Sequence, residues 1–298
     1  MKTNLFTTAA LAATLFAACN NDEMLPSATD APVAADVTAA IAQTRAHDDT
    51  WDAQDAIGIY MLKSGTATVS GGNANRRYVT PTATGNFSPA DAAQAIYFPM
   101  QTADKVDFRA YYPYATLKGD DYPIDLTDQT TSAAIDLMCS DNVTRRDKTD
   151  PVVALNFRHR LSRISVSVLA GTGFTNADLK GLTITLSNQP CTGTYRIPDD
   201  KLNADDNKKT LTLRTAANGQ SASAILMPQG GYPGRTLTFV MADPTRTTFT
   251  YDLTSTKTFE SGKETLYTIR LSMSGVEVST ATISSWGSQG EISGEIDI

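Results

Sequence analysis

Basic clusters, histidine, cysteine and long apolar runs are all scarce in this chain, and each scarcity excludes a class of function. Lys and Arg number 25 against 32 Asp and Glu, a formal net charge of −7 over 298 residues. The basic side chains are scattered, so no electrostatic footprint for nucleic acid is present. Histidine occurs only as His47 and His159, too few for a convincing metal centre. There is no His-Glu-x-x-His, no glycine-rich phosphate loop and no Gly-x-Ser-x-Gly elbow. Glycoside hydrolysis needs two carboxylates facing across a cleft, and no pair stands out. Asp120-Asp121 and Asp199-Asp200 sit beside Gly or Pro, where solvated turns are expected. Asp141-Asn142 with Asp147 or Asp150 supplies oxygens without the regular spacing of a calcium loop. Neither an enzyme nor a cofactor is expected. Long Leu/Glu/Lys/Arg stretches of the helical kind are also missing, whereas Thr, Ser, Ala, Gly and Asn abound, which suits strands and polar loops.

The apolar run from Leu5 to Ala18 is too short for a transmembrane helix, which needs about 20 residues. It follows the basic start Met1-Lys2 and closes in Leu15-Phe16-Ala17-Ala18-Cys19, the layout of a secretory signal. The small pair before Cys19 resembles the lipobox of bacterial lipoproteins. That resemblance implies a signal over residues 1–19, acylation of the Cys19 thiol with palmitate-type chains, and a mature chain beginning at Cys19. Two or more acyl chains, at roughly 0.8 kcal/mol per buried CH₂, hold a domain on a membrane almost irreversibly. Cys139 and Cys191 are then the remaining cysteines. Export permits a bridge between them, and two separate buried thiols fit the sequence equally well.

Residues 20–45 are a tether of Asn, Asp, Ala, Pro and Thr, within which Val33 to Ile41 carries enough Ala, Val and Ile for an edge strand or a short helix. From Trp51 onward short period-two runs dominate. Ile57-Gly58-Ile59-Tyr60-Met61, Ala95 to Phe98 and Val106 to Tyr112 read as strands, bounded by Pro99, Pro113 and Pro123. A charged stretch from Asp141 to Asp150 ends at Pro151 and places a domain boundary between residues 46–150 and 151–298. Beyond it Val153, Leu155 and Phe157 alternate, Arg158-His159-Arg160 interrupts, and Ile164, Val166 and Val168 resume, the pattern of a bend between two strand halves. Leu182 to Leu186, Leu237 to Val240 and Leu266 to Leu271 continue it. An all-β chain of two sandwich or barrel domains is expected. His159, between two arginines, reads as a side chain tying down a neighbouring strand rather than a general base. Tyr111, Tyr112 and Tyr114 are expected partly inside the sheet and partly at its rim, and Trp51 and Trp286 as anchors with polar N–H tips.

Several stretches together resemble the fimbrillin-like lipoproteins of the Bacteroidales. They are Cys19, Thr44-Arg45-Ala46, Trp51 with Ile57-Gly58-Ile59-Tyr60, Val106 to Pro113, Phe157-x-His159-x-Leu161-x-x-Ile164, and Tyr267-Thr268-Ile269 through Gly275-Val276 to Ile283-x-x-Trp286. The resemblance covers essentially the whole chain. It implies two transthyretin-like β-sandwich domains in tandem, a lipid anchor in the outer membrane, and a place as a structural subunit of cell-surface fimbriae or pili that contribute to adhesion. It further implies cutting by an arginine-specific protease after Arg45, before Ala46. That cut would release Val33 to Ile41 and open a groove for a C-terminal strand of another fimbrial subunit, the same or different. The donor would come from residues 276–298, through Val276, Val278, Ile283, Ile292, Ile296 and Ile298. The other readings are a monomeric surface lipoprotein that binds a glycan or host ligand, and a hydrolase on a β scaffold.

Overall fold

Alternation of apolar and polar residues, the mark of a strand with one face buried, is realised along most of the chain. The computed structural model describes residues 31–42, 50–230, 233–253 and 258–286. Seven strands close on themselves: β1 (Asp36–Ile41), β2 (Ala56–Lys63), β3 (Arg76–Val79), β4 (Asn86–Pro89), β5 (Val106–Tyr112), β7 (Met138–Arg146) and β8 (Val152–His159), in the circuit β1-β4-β3-β2-β5-β7-β8. All their pairings are antiparallel except the closing one, β1 beside β8, which is parallel from Asp36↔Val152 to Ile41↔Phe157. Val153, Leu155 and Phe157 of β8 point inward in strict alternation with exposed neighbours. They meet Val37, Ile57, Ile59, Phe87, Ile96, Phe98 and Phe108 in one core.

Pairing partners change at Arg160–Leu161. β9 (Ser162–Ala170) lies between β15 (Ser221–Leu226) and β18 (Lys263–Ser272) in a five-stranded sheet. That sheet runs from β14 (Arg214–Thr215) at one edge to β19 (Gly275–Ser285) at the other. A four-stranded sheet comprises β13 (Lys208–Thr212), β10 (Thr183–Pro190), β16 (Thr236–Val240) and β17 (Thr248–Asp252) in that order. Ile164, Val166, Val168, Ile184, Leu186, Leu237, Phe239, Tyr267 and Ile269 from both sheets share a second core, the arrangement of a sandwich. The bend read at Arg158-His159-Arg160 is the step from β8 to β9.

A third sheet was not legible in advance. β6 (Asp121–Asp125) pairs with β11 (Thr192–Arg196), which pairs in turn with β12 (Lys201–Ala204). An early segment is thus stitched to a late one over a third core containing Tyr60, Tyr111, Tyr122, Ile124, Leu161, Tyr195, Ile225 and Trp286. The described residues from Val33 onward accordingly pack as one compact unit. Among the described residues, helix is confined to a 3₁₀ turn (Ala92–Gln94) and a single turn (Ser132–Ile135).

Candidate functional site: the β1 slot and the C-terminal edge

Val33 to Ile41 is a strand rather than a helix from Asp36 on, and it is not an ordinary edge. β1 is hydrogen-bonded on both sides, to β4 through Val37↔Phe87 and Thr38↔Asn86 and to β8 along its length. Val37, Ala39 and Ile41 are buried and the residues between them are not. Backbone bonds extend the seam in both directions. The amides of Ala35 and Asp36 donate to the carbonyls of Ile96 and Pro151 at 2.9 Å each, and the amide of Ala42 donates to Phe157 at 2.8 Å.

Two residues shape the middle of the slot. Trp51 donates its Nε1 hydrogen to the Ala39 carbonyl at 2.9 Å. Its indole meets Phe87 of β4 edge-on at 5.1 Å and Phe157 of β8 at 5.3 Å, so it bridges both walls. Gly85 accepts from the Ala39 amide at 2.8 Å. Its backbone sits at φ +78°, and a Cβ there would lie 2.4 Å from the Ala39 oxygen. Only glycine tolerates that approach and that conformation together. The anchor role expected of Trp51 holds; Gly85 was missed, and its only sequence signal is an isolated glycine just before a short strand.

The expected processing site Arg45–Ala46 and the expected lipidation site Cys19 lie outside the described residues. So do the distal donor residues Ile292, Ile296 and Ile298. The proximal ones, Val276, Val278 and Ile283, lie on β19, which is paired with β18 from Ser272↔Gly275 to Lys263↔Ser285. No side chain of β19 is fully buried. Val276 and Val278 pack partly against the sandwich core, whereas Ile283 is 46% exposed.

The remaining candidates have structural partners. His159 lies 2.9 Å from Asp136 through Nδ1 and stacks on Trp286 with centroids 4.2 Å apart, so it ties a neighbouring segment as expected. Asp141 pairs with Arg160 at 3.4 Å, Asn142 donates to the Ala154 carbonyl, Asp147 pairs with Lys105, and Asp150 with Arg146. The four oxygen donors are therefore engaged separately. Asp120, Asp121 and Asp199 converge on Arg196 at 3.4, 3.5 and 2.7 Å. Asp200 is no solvated turn residue: it accepts from the Tyr195 hydroxyl and pairs with Arg160 at 3.1 Å. Burial raises its pKa against the opposing pull of Arg160 and Arg109.

Cys139 and Cys191 are both buried, and in this structure both are free thiols. Cys139 belongs to the third core and Cys191 to the sandwich core, and burial pushes the Cys139 thiol up to about 12. Tyr111 is fully buried, with its hydroxyl on Asn75 and the Ala115 carbonyl; Tyr112 and Tyr114 are partly exposed. Elsewhere on the barrel a groove of about 880 Å³ runs past Met61, Arg76, Tyr97, Met100 and Lys105.

The profile of the fimbrillin-like family matches residues 44–286. Fim1C of Bacteroides uniformis, a candidate fimbrium subunit, is 40% identical over 292 residues, which is 94% of each chain. The crystal structure of a candidate cell adhesion protein from Bacteroides uniformis superposes with a TM-score of 0.73 at 38% identity, covering 86% of this chain and 99% of that one. A second, from Bacteroides ovatus, is similar in fold at 20% identity with a TM-score of 0.66, covering 86% and 98%. This all-β protein belongs to the fimbrillin-like family, a family of fimbrial and cell-adhesion proteins.

Proposed function

We propose that this protein is a structural subunit of cell-surface fimbriae, delivered as a Cys19-anchored outer-membrane lipoprotein and assembled by protease-triggered strand exchange. The observation that carries the reading is β1. It fills a slot between β4 and β8 with three inward side chains, and residues 43–49, which contain Arg45–Ala46, separate it from Trp51. A cut there removes the covalent link between a core strand and the body it completes. Loss of that strand uncovers unpaired backbone groups on β4 and β8 together with apolar core, both costly in water. A strand donated by another subunit repairs both, as in other strand-addition complexes. Each copy then offers one donor and one acceptor, and such head-to-tail contacts build an open chain.

Two domains in tandem are the organisation this reading uses: the barrel through His159 and the sandwich from Ser162. We take the change of pairing partners between His159 and Ser162 as the division, a few residues beyond the step at 150/151. The test is to treat the lipid-free precursor with an arginine-specific protease while following mass and oligomer size. Cleavage after Arg45 together with a ladder of growing size is the expected result. A cut that leaves only monomer, or no cut, refutes self-assembly and favours an anchor or a solitary binding lipoprotein. Tyr111 is inside the third core, which argues against a glycan-binding surface built from Tyr111, Tyr112 and Tyr114.

A further inference from the structure

The C-terminal stretch 276–298 contains two parts with different fates. β19 is held throughout by β18, and its end is pinned. The Trp286 amide donates to the Gly262 carbonyl at 3.0 Å, and the Trp286 ring is 3% exposed and stacked on His159, itself held by Asp136. Withdrawing β19 would strip the edge of the strand that carries Tyr267, Ile269 and Leu271, all fully buried, and pull a tryptophan out of the third core. A donor that leaves β19 and Trp286 in place therefore begins after Trp286.

The slot states what it accepts. At alternate inward positions it takes an aliphatic side chain, a small one and an aliphatic one: Val37, Ala39 and Ile41. The middle position is small where Trp51 and Gly85 both close on the backbone of residue 39. Between 287 and 298 the sequence reads GSQGEISGEIDI, and one register alone reproduces that order: Ile292, Gly294 and Ile296 at alternate positions. Ser293 and Glu295 then fall on the outer face, where Thr38 is half-buried and Ala40 exposed. A glycine inside a strand weakens it unless another backbone approaches closely, which is the condition at residue 39.

Resting on the strand-exchange reading above, we propose that the donor is confined to the tail beyond Trp286. It enters a second copy of this chain with Ile292, Gly294 and Ile296 in the places of Val37, Ala39 and Ile41, parallel to β8. β19 stays on its own subunit. Residues 287–291 become the bridge between subunits, with a reach of at most about 17 Å at roughly 3.4 Å per residue.

Disulfide trapping in the full, lipid-free chain reads the register directly. Thr38 faces Asn86 across the β1–β4 pair, a cross-strand separation that suits a disulfide. Thr38→Cys with Asn86→Cys in the uncut chain is the positive control. Cys139 and Cys191 are buried and stay out of the reaction. In the proposed register Ser293 replaces Thr38, so Asn86→Cys with Ser293→Cys, cut with arginine-specific protease and oxidised with diamide, gives a reduction-sensitive covalent ladder. Glu291→Cys or Glu295→Cys with Asn86→Cys, one inward–outward repeat away, gives at least tenfold less. A ladder that forms but links through 291, 295 or Ser279→Cys on β19 instead of 293 overturns this register and leaves strand exchange standing. Absence of any ladder by size, with Asn86→Cys competent in the control, overturns both.

Discussion

If β1 is a core strand of the uncut protein and absent from the assembled one, a single truncation in it matters before processing and ceases to matter once the strand has left. Ile41 is 6% exposed at the end of β1, opposite Phe157. Deleting most of a buried isoleucine costs about 2–5 kcal/mol, and a strand end at a seam relaxes more easily than a central position. Ile41→Ala is therefore expected to destabilise the uncut chain by about 2–3 kcal/mol, read as a lower denaturant midpoint at unchanged slope. After the cut the same lost burial acts on retention of the excised strand. Val37 and Ile41 together contribute about 3–6 kcal/mol by burial, so removing about 2 kcal/mol speeds release of the fragment roughly thirtyfold. Trp51 reports that release, because its Nε1 partner is the Ala39 carbonyl. Once the fragment is gone, variant and parent should unfold identically. A loss below about 0.5 kcal/mol in the uncut chain, within the range of ordinary surface substitutions, would refute the packing of β1. So would a variant that still differs after the fragment has left.

Three further outcomes follow from the same geometry. Gly85→Ala, with its positive φ and a Cβ 2.4 Å from the Ala39 oxygen, should destabilise the uncut chain by at least about 1 kcal/mol and accelerate loss of β1 after cutting, measured by fragment release on size exclusion. Cys139 and Cys191, buried and free, should ignore Ellman's reagent in the native chain and both react in denaturant; one or no thiol on denaturation would indicate a bridge. Burial alone would raise the pKa of Asp107, but donation from the Gly65 and Arg145 amides and the Ser64 hydroxyl outweighs it and holds the carboxyl below its ordinary range. A depressed folded pKa contributes stability above the unfolded value, about 3.9, that is lost as pH falls through the folded one. Asp107→Asn should therefore lower stability at pH 7 and flatten the fall in stability below about pH 4, followed by urea midpoints across pH.

Where one face of a strand was buried, its period could be read directly. Val153, Leu155 and Phe157 announced β8, and Ile164, Val166 and Val168 announced β9, because a one-residue slip would turn every side chain to the wrong face. β1 was ambiguous because Ala is as much a helix former as a strand filler, and its identity comes from β8 and Trp51, far away in sequence. The β6–β11 stitch had no local signal at all: Asp121-Tyr122-Pro123-Ile124-Asp125 reads as a turn around a proline, and only pairing with Thr192–Arg196 makes it a strand. The same holds for Asp200, where the nearby Pro198 suggested a solvated turn while the fold supplied Tyr195 and Arg160. The slot's floor was half visible. Trp51 stood out as an anchor, whereas Gly85 acquires meaning only when the backbone of residue 39 lies against it.

The parallel seam between β1 and β8 also sets an order in time. β1 is the first strand of the barrel to emerge in the growing chain, yet its partners are Phe87 and Asn86 on one side and Val152 to Phe157 on the other. The path β4-β3-β2-β5-β7-β8 is continuous and antiparallel without it, and pairings between neighbours close faster than those that span a long loop. By topology the earliest strand made is thus expected to be the last one seated, and undocking it requires no other pair of strands to part. On the proposed exchange, a subunit built in that order would carry, from its own folding, a ready-made route for giving up that strand.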